Sequence, residues 1–199
     1  MEVPISDARL VLASGSPRRR ELLAYFGIPF AVVPSDAEEN ASGTGLERVS
    51  VLARLKGEDV FQTYPQLSVL SADTLVCVDD LVLGKPFDTS DAHRMLNLLS
   101  GRWHSVYTGV CLRTPDGQIR EKLETTRVKF RRMAEWEIDR YINTGEPMDK
   151  AGAYAIQEIG GIFVERIEGS PSNVIGLPLT AVASLLETAG LLPGNGQAY

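Results

Sequence analysis

The alternation of strand-like and helix-like segments through the first 76 residues constrains this chain more than any other feature. An apolar stretch near residues 9–14 precedes a helical pattern over 17–26. A second strand follows over 29–34, then a longer helix over about 45–62 and a third strand over 67–76. That alternation predicts an α/β sheet. In the longer helix Leu46, Val49, Leu52 and Ala53 recur at three- and four-residue steps on one face. Lys56 follows on the same stripe, where a lysine either snorkels at the edge or points into a pocket.

The later elements are written in turn chemistry. Asp79-Asp80 between Leu75–Val78 and Leu81–Leu83 reads as a tight hairpin. A short helix follows, capped by Asp88 or Thr89, with Met95, Leu96, Leu98 and Leu99 as its core and Gly101 after its end. Two long alternating strands from Ser105 to Phe130 flank the turn Pro115-Asp116-Gly117. A helix over 134–143 ends before Gly145, and a Gly-rich stretch leads to a last amphipathic helix opened by Leu177-Pro178-Leu179. The expectation is a single domain over residues 1–199, its core at about 9–188, with a frayed tail over 193–199.

Charge and composition narrow the function classes. With a formal net charge of −6, the chain is not a general binder of nucleic-acid polymer or of membrane surfaces, so an anionic ligand has to be drawn by a local basic pocket. No apolar stretch approaches the roughly 20 residues that span a bilayer, and the N-terminus lacks a signal pattern, which points to the cytoplasm. Cys77 and Cys111 lie in apolar, β-branched contexts and read as buried free thiols.

The local basic pocket has a clear candidate in Ala13-Ser14-Gly15-Ser16-Pro17-Arg18-Arg19-Arg20, where the first strand gives way to the first helix. Ser16 is a good N-cap and Pro17 suits the first helical position, so backbone N–H groups, a positive helix end and guanidinium donors converge there. The bland alternative is a capped helix with a solvated basic face. Cations in the first turn are disfavoured by the helix dipole, and an anion at the site would offset that placement.

Asp73 and Lys85 complete the pattern. Asp73, depleted from strands by propensity, stands at the end of an apolar strand, the side of an open α/β sheet where ligands bind; the alternative is an Asp capping a bulge. Lys85 sits in the rigid turn Gly84-Lys85-Pro86. Arg18, Arg19, Lys56 and Lys85 around a polyphosphate, with Asp73 and a Glu holding a divalent metal, would supply what phosphoryl or nucleotidyl transfer needs. No Walker loop and no G-x-S-x-G occurs. Only His93 and His104 are present, with surface or packing roles, and hard oxygen ligands point to Mg²⁺ or Mn²⁺.

Five blocks together resemble the Maf family of nucleoside triphosphate pyrophosphatases from about residue 9 to 188. They are Leu12–Arg19, Ser71–Thr74, Gly84–Pro86, His104–Val110, and a fifth from Gly145–Tyr154 to Asn173–Leu179. The resemblance implies an elongated α/β fold shared with inosine-triphosphate pyrophosphatases, a mixed sheet with flanking helices forming two lobes around a cleft, and usually a homodimer. It also implies metal-dependent hydrolysis of a nucleoside triphosphate to the monophosphate and pyrophosphate.

Position by position, Asp73 matches the family's proton acceptor, which as a carboxylate could equally hold the metal. Arg18, Thr74 and Gln157 match positions tied to substrate choice, and Ser14, Arg19, Lys56 and Lys85 match phosphate-side positions. The acidic metal-side residue falls on Glu39, with Glu38 its neighbouring alternative. Met148–Tyr154 with Gln157 resembles the members acting on dTTP and UTP, and modified pyrimidine nucleotides are a related possibility. A glutamine amide complements O4 and N3–H of uracil or thymine. Ala155 and Glu158 depart from the glycines common in the family and Pro171 from an aromatic, which would reshape the base pocket if positive φ or a close approach of the base were needed there. The rival from another class is a non-catalytic nucleotide-binding regulator of cell division or septation.

Overall fold

The strand–helix alternation feeds a seven-stranded mixed sheet. In the computed structural model, which describes residues 1–192, the chain runs β1 (Leu10–Leu12), α1 (Pro17–Ala24), β2 (Phe30–Val32), α2 (Gly45–Thr63), β3 (Ser68–Val78), β4 (Leu81–Leu83) and α3 (Thr89–Leu99). It continues through β5 (Trp103–Arg113), β6 (Ile119–Phe130), α4 (Glu135–Ile142), β7 (Val164–Glu168), α5 (Pro171–Ile175) and α6 (Leu179–Thr188). Strand order is β2-β1-β3-β5-β6-β7, with β4 paired to β3. The expected tail, 193–199, lies outside the described residues.

The fold consists of two compact units, one of Met1–Asp73, Thr108–Glu124 and the chain from Gly176, the other of Thr74–Tyr107 and Thr125–Ile175. Neither is a continuous stretch of sequence, because the divisions fall inside β3, β5 and β6.

In the first unit β1 lies between β2 and β3, parallel to both, and Leu10, Val11 and Leu12 are wholly buried. A strand covered on both faces reads as a continuous apolar run, as this one does. The α2 helix opens with a reciprocal cap: the Glu47 N–H donates to the Thr44 hydroxyl, and the Glu47 carboxylate accepts from the Thr44 N–H. Its buried stripe is Val49, Leu52, Ala53 and Val60, whereas Leu46, grouped with them by period, is 36% exposed. The helix meets the sheet one turn later than its spacing implied. At Gly109 of β5 the approach is so close that a β-carbon would stand 2.3 Å from the Val49 carbonyl oxygen.

In the second unit the β3–β4 hairpin pairs Val78 with Leu81 around Asp79-Asp80, with Asp79 at φ 51°. Asp88 is the α3 cap, its carboxylate accepting from the Asp91 N–H at 2.8 Å. Leu96, Leu99, Phe130, Tyr141 and Phe163 fill the core. The stretch after α4 holds two elements its glycines had hidden. Strand β7 is a charged edge strand, Val-Glu-Arg-Ile-Glu, antiparallel to β6, and charge on an edge conceals the strand pattern while discouraging further pairing. Helix α5 is little more than one turn, begun by Pro171 and seated by buried Asn173, whose amide donates to the Val106 carbonyl and the Thr126 hydroxyl, each at 3.0 Å.

Candidate active site

The parallel pairing of β1 with β3 builds the first half of the site. Leu12 lies level with Leu70, and the Ala13 N–H still donates to the Leu70 carbonyl at 2.8 Å, so Ser14 leaves the sheet close to Asp73. Ser16 occupies the cap of α1 as expected, but its side chain makes no cap bond; instead its N–H donates to the Ser14 hydroxyl at 3.3 Å. Arg19 turns back across this loop. Its Nε donates to the Gly176 carbonyl at 2.9 Å and its Nη1 to the same Ser14 hydroxyl at 3.2 Å. Burial lowers the Arg19 pKa, against the pull of Asp73 and with the push of the nearby Arg18 charge, yet a guanidinium stays protonated under such a shift. Arg20 points away and pairs with Glu2 at 3.6 Å on the surface.

Asp73 does not end its strand, as its break in the apolar run suggested. It lies in the interior of an unbroken eleven-residue strand and is 6% exposed. Helix–sheet stepping explains how a strand tolerates it. The Ser71 hydroxyl donates to the Ala53 carbonyl at 2.6 Å; two residues further along β3 and three further along α2, Lys56 Nζ donates to Asp73 Oδ1, also at 2.6 Å. The same ammonium lies 2.8 Å from Glu39 Oε1, so one lysine bridges two carboxylates. Of Glu38 and Glu39, it is therefore Glu39 that reaches the cluster. Burial pushes the Asp73 carboxyl above the ordinary carboxylate value, opposed first by Lys56 and then by Arg19.

Asp59 is a residue that sequence reasoning missed. Its Oδ2 accepts from the Ser35 hydroxyl at 2.8 Å and from the Asp36 N–H at 2.9 Å, fastening to α2 the loop that carries Glu39. Its place one turn beyond Lys56 was the available signal.

Thr74, Lys85 and Gln157 belong to the second unit. Thr74 is half-buried, and Lys85 and Gln157 are exposed. The Lys85 turn is tied to the Gln157 segment by the Gly152 N–H, which donates to the Gly84 carbonyl at 3.0 Å. The Gln157 amide nitrogen lies 3.5 Å from Glu158 Oε1, and the Glu158 carboxylate is 3.7 Å from buried Lys150. Neither Ala155 nor Glu158 takes positive φ: the non-glycine residues with positive φ among those described are Asp79 and Ala153.

No group of three or more His, Cys, Asp or Glu side chains that could hold a metal ion occurs among the described residues. Asp73 and Glu39 do supply two hard oxygen donors on one ammonium. Mg²⁺ is commonly held by one or two carboxylates together with phosphate and water oxygens, so the donor set fits such an ion carried with a phosphate ligand. His104 is buried, and Cys77 and Cys111 are buried free thiols, all as expected; burial pushes the Cys111 thiol up to about 12.

Parallel strands leading into an arginine-bearing helix, with a buried carboxylate and its lysine beside them, mark the chain as an α/β protein whose charged side chains gather where the first strand ends. The Maf-like protein family matches residues 9–189, and the chain belongs to that family. It is 47% identical over 196 residues to the dTTP/UTP pyrophosphatase of Methylobacillus flagellatus, covering 96% of this chain and 98% of that one. The protein of the same name from Thermococcus gammatolerans is 52% identical over 178 residues, covering 89% and 95%. In fold, the chain is similar to the Ham1 protein of Staphylococcus aureus at 14% identity, with a TM-score of 0.51 over 90% of this chain and 98% of the other.

Proposed function

We propose that this protein hydrolyses dTTP and UTP to the nucleoside monophosphate and pyrophosphate. The observation that carries the reading is the Lys56 ammonium placed between Asp73 and Glu39, with Arg19 of α1 turned back onto the Ser14 loop. The names of the relatives supply the nucleotides.

In this mechanism Arg19 and Lys56 face the triphosphate, and their charge offsets the negative charge that develops on the phosphoryl oxygens and on departing pyrophosphate. Arg19, already held by Gly176 and Ser14, meets that charge without first being ordered. Asp73 is the essential carboxylate: with its pKa raised by burial, it takes a proton from the attacking water more readily than an exposed aspartate does. A divalent cation, Mg²⁺ or Mn²⁺, held by Asp73 and Glu39 would polarise the phosphoryl oxygens and lower the pKa of water. Arg18, Thr74 and Gln157 select the nucleotide, and Lys85, which makes no ion pair among the described residues, adds a cation on the phosphate side. The protein works in the cytoplasm as a homodimer.

Asp73→Asn tests the reading. Pyrophosphate release from dTTP and UTP should fall at least a thousandfold while the circular dichroism spectrum and melting profile stay those of a folded protein. Near-normal release would remove Asp73 from the chemistry.

A further inference from the structure

Between exposed Lys85 and exposed Gln157 the chain passes through a buried turn under backbone strain. Gly152 and Ala153 both take left-handed backbone, at φ 70° and 59°, and Ala153 is wholly buried. A β-carbon is crowded by the neighbouring carbonyl in this region, so an alanine persists there only where its surroundings over-determine it. The turn is fastened on one side by the Gly152 N–H to the Gly84 carbonyl, the residue before Lys85. On the other side Tyr154 points inward, its hydroxyl 2.8 Å from His104 Nε2, with its ring edge-on to Phe130 at 4.8 Å and to His104 at 5.4 Å. Gln157 is three residues on.

The His104–Tyr154 pair is a poor choice for stability alone. His104 is 3% exposed, burial holds its pKa down to about 3, and its Nδ1 has no partner among the described residues. The neutral ring has one proton to place. On Nε2, it leaves Nδ1 an acceptor without a donor and the tyrosine hydrogen in need of another acceptor. On Nδ1, it buries an N–H with nothing to receive it. Two apolar side chains of the same shape would fill the space without that cost. What they would lack is direction: a single hydrogen bond at 2.8 Å sets the rotation of the Tyr154 ring and of the backbone from which it hangs.

We propose that His104 and Tyr154 form a latch that holds the Gly152–Ala153 turn in its left-handed conformation and thereby positions Gln157 and Lys85 together. They are positioning residues for nucleotide recognition, and the proposal rests on the reading of Gln157 as a base-side residue.

Tyr154→Phe removes one oxygen and preserves the ring packing; His104→Leu removes the partner; His104→Gln keeps a polar atom within reach of the hydroxyl. Tyr154→Phe and His104→Leu are expected to raise KM for dTTP and UTP about tenfold with kcat changed less than twofold, while His104→Gln stays near wild type. Amide hydrogen exchange should accelerate about tenfold across residues 152–157 in the first two variants and not in α6. The proposal is overturned by unchanged KM in both variants, by unchanged exchange over 152–157, or by exchange that rises equally throughout the chain. If the wild-type protein releases no pyrophosphate from either nucleotide, the functional reading fails instead, and the exchange pattern alone decides the latch.

Discussion

Replacing Gly109 by alanine tests how closely α2 must lie on the sheet for the site to form. The added β-carbon would stand 2.3 Å from the Val49 carbonyl oxygen, 2.7 Å from the Val49 carbonyl carbon and 3.0 Å from the Ser50 nitrogen. All three are helix backbone, so no side chain can rotate out of the way. Restoring an ordinary contact of about 3.4 Å requires the helix to retreat by about 1 Å. Overpacking of this kind costs about 1–3 kcal/mol, which in a chain of this size lowers the melting temperature by about 2–12 °C. The retreat also carries Lys56, two turns along the same helix, away from Asp73. A 1 Å misplacement near reacting groups can cost about 100-fold in rate. Differential scanning calorimetry and pyrophosphate release from dTTP would be measured on Gly109→Ala beside Gly84→Ala, whose β-carbon meets nothing within 4 Å and whose melting temperature should stay at the wild-type value. A Gly109→Ala protein that melts within 1 °C of wild type and turns over normally would refute the close-packing argument.

Lys56→Met should strand a buried Asp73 carboxylate and drive its pKa further up. The two side chains are only 13% and 8% exposed, so the loss is expected at about 3 kcal/mol in urea unfolding, and an unshifted midpoint would show that the pair stabilises nothing. Glu137 is held down to about 2 from its usual 4.5, first by the hydrogen bond from Arg131 and then by the Ala134 N–H. Its folded pKa is depressed, so its contribution is complete above about pH 4.5 and is lost as pH falls toward 2; Glu137→Gln should flatten the fall in melting temperature across that window, and an identical slope would rule the group out. Chelation with EDTA should stop pyrophosphate release and added Mg²⁺ or Mn²⁺ should restore it, an outcome contradicted by full activity in excess chelator.

Much of the site was legible because its groups are chemically out of place. An aspartate inside an apolar strand, a lysine on a buried helical stripe and arginines in a first helical turn each break a local rule, and such breaks point to a use. Their chemistry already suggested a polyphosphate between them; the family motifs added the nucleotide and a role for each residue. Asp59 escaped notice because a surface-type carboxylate on a helix breaks no rule. The latch escaped because a histidine and a tyrosine in apolar company look like packing. Strand β7 and helix α5 were hidden by charge and glycine, since both owe their existence to what they pair with rather than to their own periodicity.

By itself, the sequence determined the order of strands and helices from β1 to α4 together with the last helix, the turns at Asp79-Asp80 and Pro115-Asp116-Gly117, and the inventory of cations and carboxylates. These depend on periodicity, on backbone demands and on residue chemistry, all of which act over a few residues. Tertiary structure decided which groups meet. Lys56 finds Asp73 across 17 residues, His104 finds Tyr154 across 50, and Arg19 finds the Gly176 carbonyl across 157. A long polar side chain has several local rotamers of similar energy, so its direction is settled only when burial leaves it one place where its charge or hydrogen bond can be satisfied.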